Sequence, residues 1–297
     1  MTALSGTEAG ATRLFASATR QKRFLHYLRR HPSVAIGGGL LLAIALGAIL
    51  APLLWTIDPT QLSPARRTRM PSEQFWFGTD MLGRDVYSRV VYGARVSLVV
   101  GFSVAVLASV AGLAIGVLAG FVRKLDGVIM RAIDGMMSIP PILLAIALMA
   151  LTRGSVGNVI LAITLAEIPR VARLVRGVVL SLREQPYVEA AVACGAGVPR
   201  ILVRHILPNT VAPMMVQATY ICASAMIVEA ILSFIGAGIP PATPSWGNIM
   251  AEGRALWQVR PHIVLFPAIF LSITVLAVNL LGDGLRDSLD PRIAKRL

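Results

Sequence analysis

The residues best suited to act on a partner lie in one polar stretch, Ser181–Pro208, which reads SLREQPYVEAAVACGAGVPRILVRHILP. Tyr187–Ala193 consists of good helix formers, and Gly195 and Gly197 follow as natural stops. Ala190, Ala191 and Ala193 give such a helix almost no side-chain bulk, so another protein could approach its backbone closely. Glu189 is placed to accept hydrogen bonds from a partner's arginine or from backbone donors. Arg200–Leu207 mixes Ile201, Leu202, Ile206 and Leu207 with Arg200 and Arg204, which suits an interfacial helix. Two more carboxylates, Glu229 and Glu167, stand in apolar sequence, where an ionisable residue is a candidate for a pathway or inter-subunit contact. Arg170, one helical turn after Glu167, offers it a local salt bridge.

Other chemistry is missing. The chain contains no G-x-x-x-x-G-K-[ST] loop, so it is not expected to hydrolyse ATP itself. It has no H-E-x-x-H and no G-x-S-x-G. His26, His31, His205 and His262 are scattered and pair with no nucleophile. Cys194 and Cys222 have no metal-ligand neighbour at C-x-x-C spacing and read as small packed residues. No catalytic residue, metal site or bound cofactor is expected, which leaves carriers, channels and membrane scaffolds.

The elements that hold these residues follow from composition. Of 297 residues, 56% are hydrophobic and 14% charged. A soluble domain carries about 25% charged residues, so this chain lacks the polar surface to cover itself in water. The net charge of +13 fits basic loops against anionic lipid better than a nucleic-acid binder, whose surface is polar. Uncharged runs at Val34–Trp55, Val96–Val122, Gly135–Thr152, His205–Val228 and Pro261–Gly282 are each 18 residues or longer, and about 20 apolar residues cross a bilayer. Ser155–Leu180, with Glu167, Arg170, Arg173 and Arg176, is a weaker sixth span. The expected architecture is an all-α membrane protein of six transmembrane helices. With both termini inside, inner segments hold 19 basic residues and outer segments nine, which favours N-in, C-in. Asp58–Arg95, with six arginines, is the exception on the outer side.

Finer cues concern packing. Ala108, Gly112, Gly116 and Gly120 put small residues on one helical face, which suits close helix packing. Pro140-Pro141 should kink or open the third span. The organisation expected is a cytoplasmic tail at 1–30 with a short amphipathic helix at Arg20–Arg30, a first span with an external segment at 31–95, and a five-helix core at 96–297 containing the loop 181–208.

Glu189-Ala190-Ala191, Gly195 and Leu207-Pro208 resemble the EAA loop of ABC importer permease subunits. His205 departs from the isoleucine usual there, a variant associated with the peptide-transport branch. Phe77-Gly78-Thr79-Asp80, Leu82-Gly83-Arg84-Asp85, Ser88-Arg89, Gly93 and Arg95-Val96-Ser97-Leu98 are similar to the external segment of C-type dipeptide/oligopeptide permeases. So are Leu232–Gly236, Pro240-Pro241, Pro244-Ser245-Trp246-Gly247, Asn279–Asp287 and Ser288–Arg292. The resemblance runs from His31 to Arg292.

It implies a type I ABC importer permease fold in a bacterial cytoplasmic (inner) membrane. It also implies a second, B-type permease subunit, two ATP-binding subunits that use ATP and Mg, and an extracytoplasmic solute-binding protein. Glu189–Gly195 would then be the coupling helix that docks into the ATP-binding subunits. Peptides are the expected cargo; glutathione, opine-like compounds and nickel chelates are alternatives within the family. Pro240, Pro241 and Trp246 are expected at a loop that receives the binding protein. For Glu229, whose Glu-Ala-x-Leu-Ser-Phe pattern is typical of the family, a structural partner, in this chain or on the sister subunit, is favoured over cargo contact. A secondary transporter is the alternative of another class, but it would typically show paired broken spans and inverted repeats, which this sequence does not.

Overall fold

The computed structural model describes residues 31–289; the tail at 1–30, with its expected Arg20–Arg30 helix, and Asp290-Pro291-Arg292 lie outside the described residues. In chain order the helices are α1 (Pro32–Ile49), α2 (Val86–Phe121), α3 (Arg123–Met137), α4 (Pro141–Ala150), α5 (Val156–Arg183), α6 (Pro186–Ala193), α7 (Val198–Ile201), α8 (Leu207–Phe234), α9 (Trp246–Gly253) and α10 (His262–Leu289). A π-helical turn at Leu202–Ile206 joins α7 to α8 without a break. Among the described residues the one extended pairing is an isolated bridge between Thr79 and Asp85.

Four helical runs among the described residues are long and apolar enough to cross a membrane: Pro32–Ile49, Val86–Phe121, Val198–Phe234 and His262–Ser288. The α3–α4 pair makes a fifth if counted as one broken span. Helix α5 is 28 residues long, but Glu167, Arg170, Arg173, Arg176 and Arg183 keep it out of that group. The expected span Gly135–Thr152 is not one helix. Gly135–Met137 finishes the amphipathic α3, and the chain bends by 84° before α4 begins. Pro141 supplies the fixed φ of a first helical turn, where its missing N–H leaves no bond unmade.

Helix α2 starts at Val86, well before the uncharged run at Val96, and so takes in Arg89 and Arg95. Both arginines have partners. Arg95 donates from Nε to the Ala48 carbonyl (2.5 Å) and from Nη2 to that of Ile49 (3.1 Å), capping carbonyls that the end of α1 leaves free. At the start of α2, Asp85 Oδ2 accepts from the Ser88 amide at 2.8 Å, a side-chain N-cap.

The small-residue face packs α2 against α5, and Ala108, Gly112, Gly116 and Gly120 are all buried. A Cβ added at Gly112 would sit 2.4 Å from Val171 Cβ, one at Gly116 2.6 Å from the Ala172 carbonyl, and one at Gly120 2.8 Å from Val179 Cβ. Two helices run parallel in this seam at backbone contact distance, which larger side chains would forbid. Helix α1 meets α10 as closely but antiparallel: a Cβ at Gly37 would lie 2.6 Å from the Ala277 carbonyl, and one at Gly284 2.8 Å from the Val34 amide nitrogen.

Candidate functional site

At the Phe121 end of α2 lies α6. Pro186 opens it, and Glu189 sits in its first turn, where the helix dipole favours a carboxylate. Its far end closes on Gly195, whose φ of +81° suits glycine alone without strain. The Ala196 amide donates to the Ala191 carbonyl (3.0 Å) and the Gly195 amide to that of Val192 (2.9 Å), the paired bonds of a Schellman C-cap. Val188, 3% exposed, fastens the helix to the bundle. Glu189, Ala190, Ala193 and Gly195 are exposed, and Ala191 is half-buried. Beside the helix is an apolar cavity of about 310 Å³, walled by Phe121, Val188, Val192 and Ile201, with Glu189 at its edge. Arg183 holds the base of this region to α2 by donating to the Gly120 carbonyl at 3.3 Å. Leu207 and Pro208 begin α8, with Pro208 exposed. The structure therefore gathers Glu189–Gly195 into one exposed, low-bulk helix and places Leu207-Pro208 at the foot of the next long helix.

The Val86 end is built differently. Asp80 accepts at Oδ1 from the Leu82 and Arg84 amides (2.8 and 2.9 Å), and at Oδ2 from Arg84 Nε (2.6 Å) and Arg89 Nη1 (2.5 Å). Arg89 also bonds Glu252 of α9, at 2.5 Å to Oε2 and 3.1 Å to Oε1, and Arg84 pairs with the same carboxylate. Asp80, Arg84 and Arg89 are 0%, 6% and 1% exposed. Two guanidiniums facing two carboxylates neutralise one another, which is what permits such deep burial. Phe77 stacks on Phe266 of α10 with centroids 3.9 Å apart, so the segment before α2 is fastened to α9 and α10 alike. Sequence reasoning recognised Asp80, Arg84 and Arg89 as motif residues but missed this function and missed Glu252. The i,i+4 spacing of Asp80 and Arg84 was the available signal; Glu252, 163 residues beyond Arg89, had none.

Trp246 corrects an expectation. It is not an exposed anchor for the binding protein: it is 0% exposed, and its Nε1 donates to the Val90 carbonyl at 3.0 Å. The reason is local. Ser245 caps α9, with Oγ accepting from the Asn248 amide at 3.2 Å, and Gly247 lets α9 lie so close to α8 that a Cβ there would be 2.7 Å from Ala230 Cα. The indole is thereby turned inward. Pro240 and Pro241 are exposed, and the Pro240 carbonyl accepts from Asn248 Nδ2 at 3.1 Å.

Glu229 is also fully buried, accepting from Ser233 Oγ (2.9 Å) and Ser97 Oγ (3.3 Å) of its own chain. Glu167 is 3% exposed with Arg170 Nη1 at 3.2 Å, so the local salt bridge forms, although Glu167 Oε2 lacks a well-aligned hydrogen bond. Cys194 is exposed and Cys222 buried, and no cluster of potential metal ligands occurs among the described residues.

Among the described residues, an all-helical bundle with several membrane-length apolar helices defines a multi-pass membrane protein. The chain belongs to the family of binding-protein-dependent transport system inner membrane components, whose pattern matches residues 112–295, and residues 19–71 match the N-terminal TM domain of oligopeptide transport permease C. It is thus a permease subunit of an ABC transporter, a multi-pass protein of the inner membrane. Similar proteins include a probable peptide ABC transporter permease of Sinorhizobium fredii, 55% identical over 90% of this chain and 92% of that protein. A dipeptide transport system permease of Alkalihalophilus pseudofirmus is 41% identical over 90% and 88%. A glutathione transport system permease of Salmonella typhimurium is 43% identical over 93% and 91%. Inward-facing structures of the MetNI methionine ABC transporter share the fold, with TM-scores of 0.55 and 0.57 at 22% identity, covering 68% of this chain and 96% of theirs.

Proposed function

We propose that this chain is the C-type permease subunit of an ATP-driven importer of dipeptides and oligopeptides. It pairs with a B-type permease to form the pathway and works with two ATP-binding subunits and an extracytoplasmic solute-binding protein. The chain itself binds no cofactor; ATP and Mg act on the partner subunits. Counting α5 and the bent α3–α4 pair gives six spans with both termini and α6 on one side, and the excess of basic residues there makes that side the cytoplasm. The cargo rests on the relatives named for peptide and dipeptide transport. The relative named for glutathione supports one second reading, the same machine carrying glutathione.

The observation that carries the mechanism is the exposed α6, with Glu189, Ala190 and Ala191 on a helix locked by Gly195. ATP closing the ATP-binding dimer moves a short, stiff, closely docked helix, and the π-helical turn at Leu202–Ile206 passes that motion into α8. Pro240 and Pro241, with the exposed surface of 56–82, receive the binding protein on the opposite side. Cys194, adjoining Gly195, provides a test in the wild-type complex. A membrane-impermeant maleimide is expected to label Cys194 from the cytoplasmic side of inside-out vesicles and not in intact cells, and docked ATP-binding subunits are expected to block it. Equal labelling with and without those subunits would refute docking at α6, and labelling in intact cells would refute the orientation.

A further inference from the structure

A group of polar side chains stands on the open face between α5 and α8. Arg170 is 14 residues from the start of α5 at Val156 and 13 from its end at Arg183, about 20 Å from either. Tyr220 lies on the continuous helical run Val198–Phe234, 14 residues before its end. The guanidinium carbon of Arg170 lies 5.4 Å from the Tyr220 ring centroid, with Glu167 at 3.2 Å behind it. The Arg170 side chain is 39% exposed and Tyr220 52% exposed, while Glu167 is buried.

Two further polar atoms, Thr164 Oγ1 on α5 and Gln217 Nε2 one turn before Tyr220 on α8, are buried without a hydrogen-bond partner, and Glu167 Oε2 has the Arg170 ion pair but no well-aligned hydrogen bond. Pro169 has no N–H to give, so the Leu165 carbonyl loses its helical donor at the same level. A guanidinium exposed to lipid within a span is costly, and such residues face water, protein or a transported solute. The unpaired Thr164 and Gln217 atoms beside it call for water or another polar group at this level.

We infer that Arg170 lines the translocation pathway and binds the carboxylate terminus of the passing cargo, with Glu167 and Tyr220 as the residues that position it. The inference rests on the importer reading above and adds a specificity-determining residue to it. A guanidinium offers a carboxylate two parallel N–H donors. Glu167 lies on the buried side and the Tyr220 ring against the guanidinium, so the pair fixes the head of a side chain that would otherwise sweep freely. One carboxylate behind one guanidinium leaves the site neutral when empty. An arriving carboxylate thus shares the cation rather than being trapped by excess charge, and it can leave again.

The test uses the full transporter in proteoliposomes with an unchanged binding protein, whose selectivity then cancels between variants. Uptake of a tripeptide with a free carboxylate is compared with uptake of its C-terminal amide. Glu167→Gln/Arg170→Gln removes both charges without stranding either, and Tyr220→Leu changes only an exposed ring. The ratio of free to amidated uptake is expected to fall at least tenfold in the double variant and severalfold in Tyr220→Leu, with N-terminal acetylation of the cargo having the same effect in all three proteins. A ratio unchanged from wild type, with both cargoes slowed alike, would overturn the inference. Loss of the sister permease from the purified double variant would overturn it too, by making the group a subunit contact. If wild type carried glutathione and no peptide, the peptide reading would fail, and glutathione against its glycine amide would read the same ratio for Arg170.

Discussion

The two ends of the bundle solve opposite problems. At the Val86 end, charges are buried and answered within the chain: Asp80, Arg84, Arg89 and Glu252 close on one another, and Trp246 fills the space beside them. At the Phe121 end, α6 is held by one buried side chain, Val188, and displays small residues to the outside. The first end answers its buried charges within the chain. The second leaves Glu189, Ala190, Ala193 and Gly195 exposed. Stability and coupling should accordingly come apart under mutation, and the expected losses of stability fall steadily from the first end to the second.

The largest effect is expected at Arg89. Arg89→Met leaves Arg84 alone to answer both Asp80 and Glu252, one negative charge too many in a buried site, and breaking a buried pair costs about 3–5 kcal/mol. Thermal unfolding of the purified chain in detergent should show the greatest loss here. Neutralising the whole group (Asp80→Asn, Arg84→Met, Arg89→Met, Glu252→Gln) should recover most of it, because no charge is then left unanswered. If the single variant melted with wild type, the cluster would not hold the external segment to α9.

Next comes the seam between the two ends. Gly112→Leu drives a side chain into Val171, whose Cβ is 2.4 Å from where the first added atom would sit. Overpacking of this kind costs about 1–3 kcal/mol. Gly112→Leu/Val171→Ala should regain part of the loss in the same assay, and no regain would mean that the helices have moved apart instead.

The same contrast explains what could be read from the sequence. The small-residue face of α2, the break at Pro140-Pro141 and the bare helix at Tyr187–Ala193 are local patterns, and each was legible because spacing alone determines it. Long-range partnership was not. Arg89 and Glu252 are 163 residues apart, so nothing near either shows that the other neutralises it. For this reason the start of α2 was placed too late, at the edge of the uncharged run. Trp246 failed in the opposite sense: an aromatic residue in a proline-rich loop suggests an exposed anchor, whereas Gly247 and the Ser245 cap rotate it inward. Arg170 and Tyr220 are 50 residues apart, and only the packing of α5 beside α8 brings them to one level.

At the α6 end the expected losses are small and local. Gly195→Ala places a Cβ at φ +81°, a left-handed conformation that costs about 1–2 kcal/mol. Nothing lies within 4 Å of that Cβ, so the strain is confined to the cap. Hydrogen exchange is expected to quicken at Gly195 and Ala196, whose amides close the Schellman bonds, while the global melting temperature barely moves. A large global shift would mean that the cap belongs to the folding core.

The smallest change in stability should accompany the greatest change in function. Ala190 is exposed on α6, in ordinary helical backbone, and a surface substitution there is expected to alter stability by no more than about 0.5 kcal/mol. Ala190→Trp nonetheless adds an indole to a surface whose use depends on another protein coming close. The variant should insert, melt like wild type and pair with its sister permease, yet co-purify without ATP-binding subunits and give no ATP-driven uptake. Using Ala190 rather than Gly195 avoids confusing bulk with backbone strain, since tryptophan at position 195 would bring both. Normal uptake by Ala190→Trp would show that force enters the bundle elsewhere, and that the bareness of α6 is only packing.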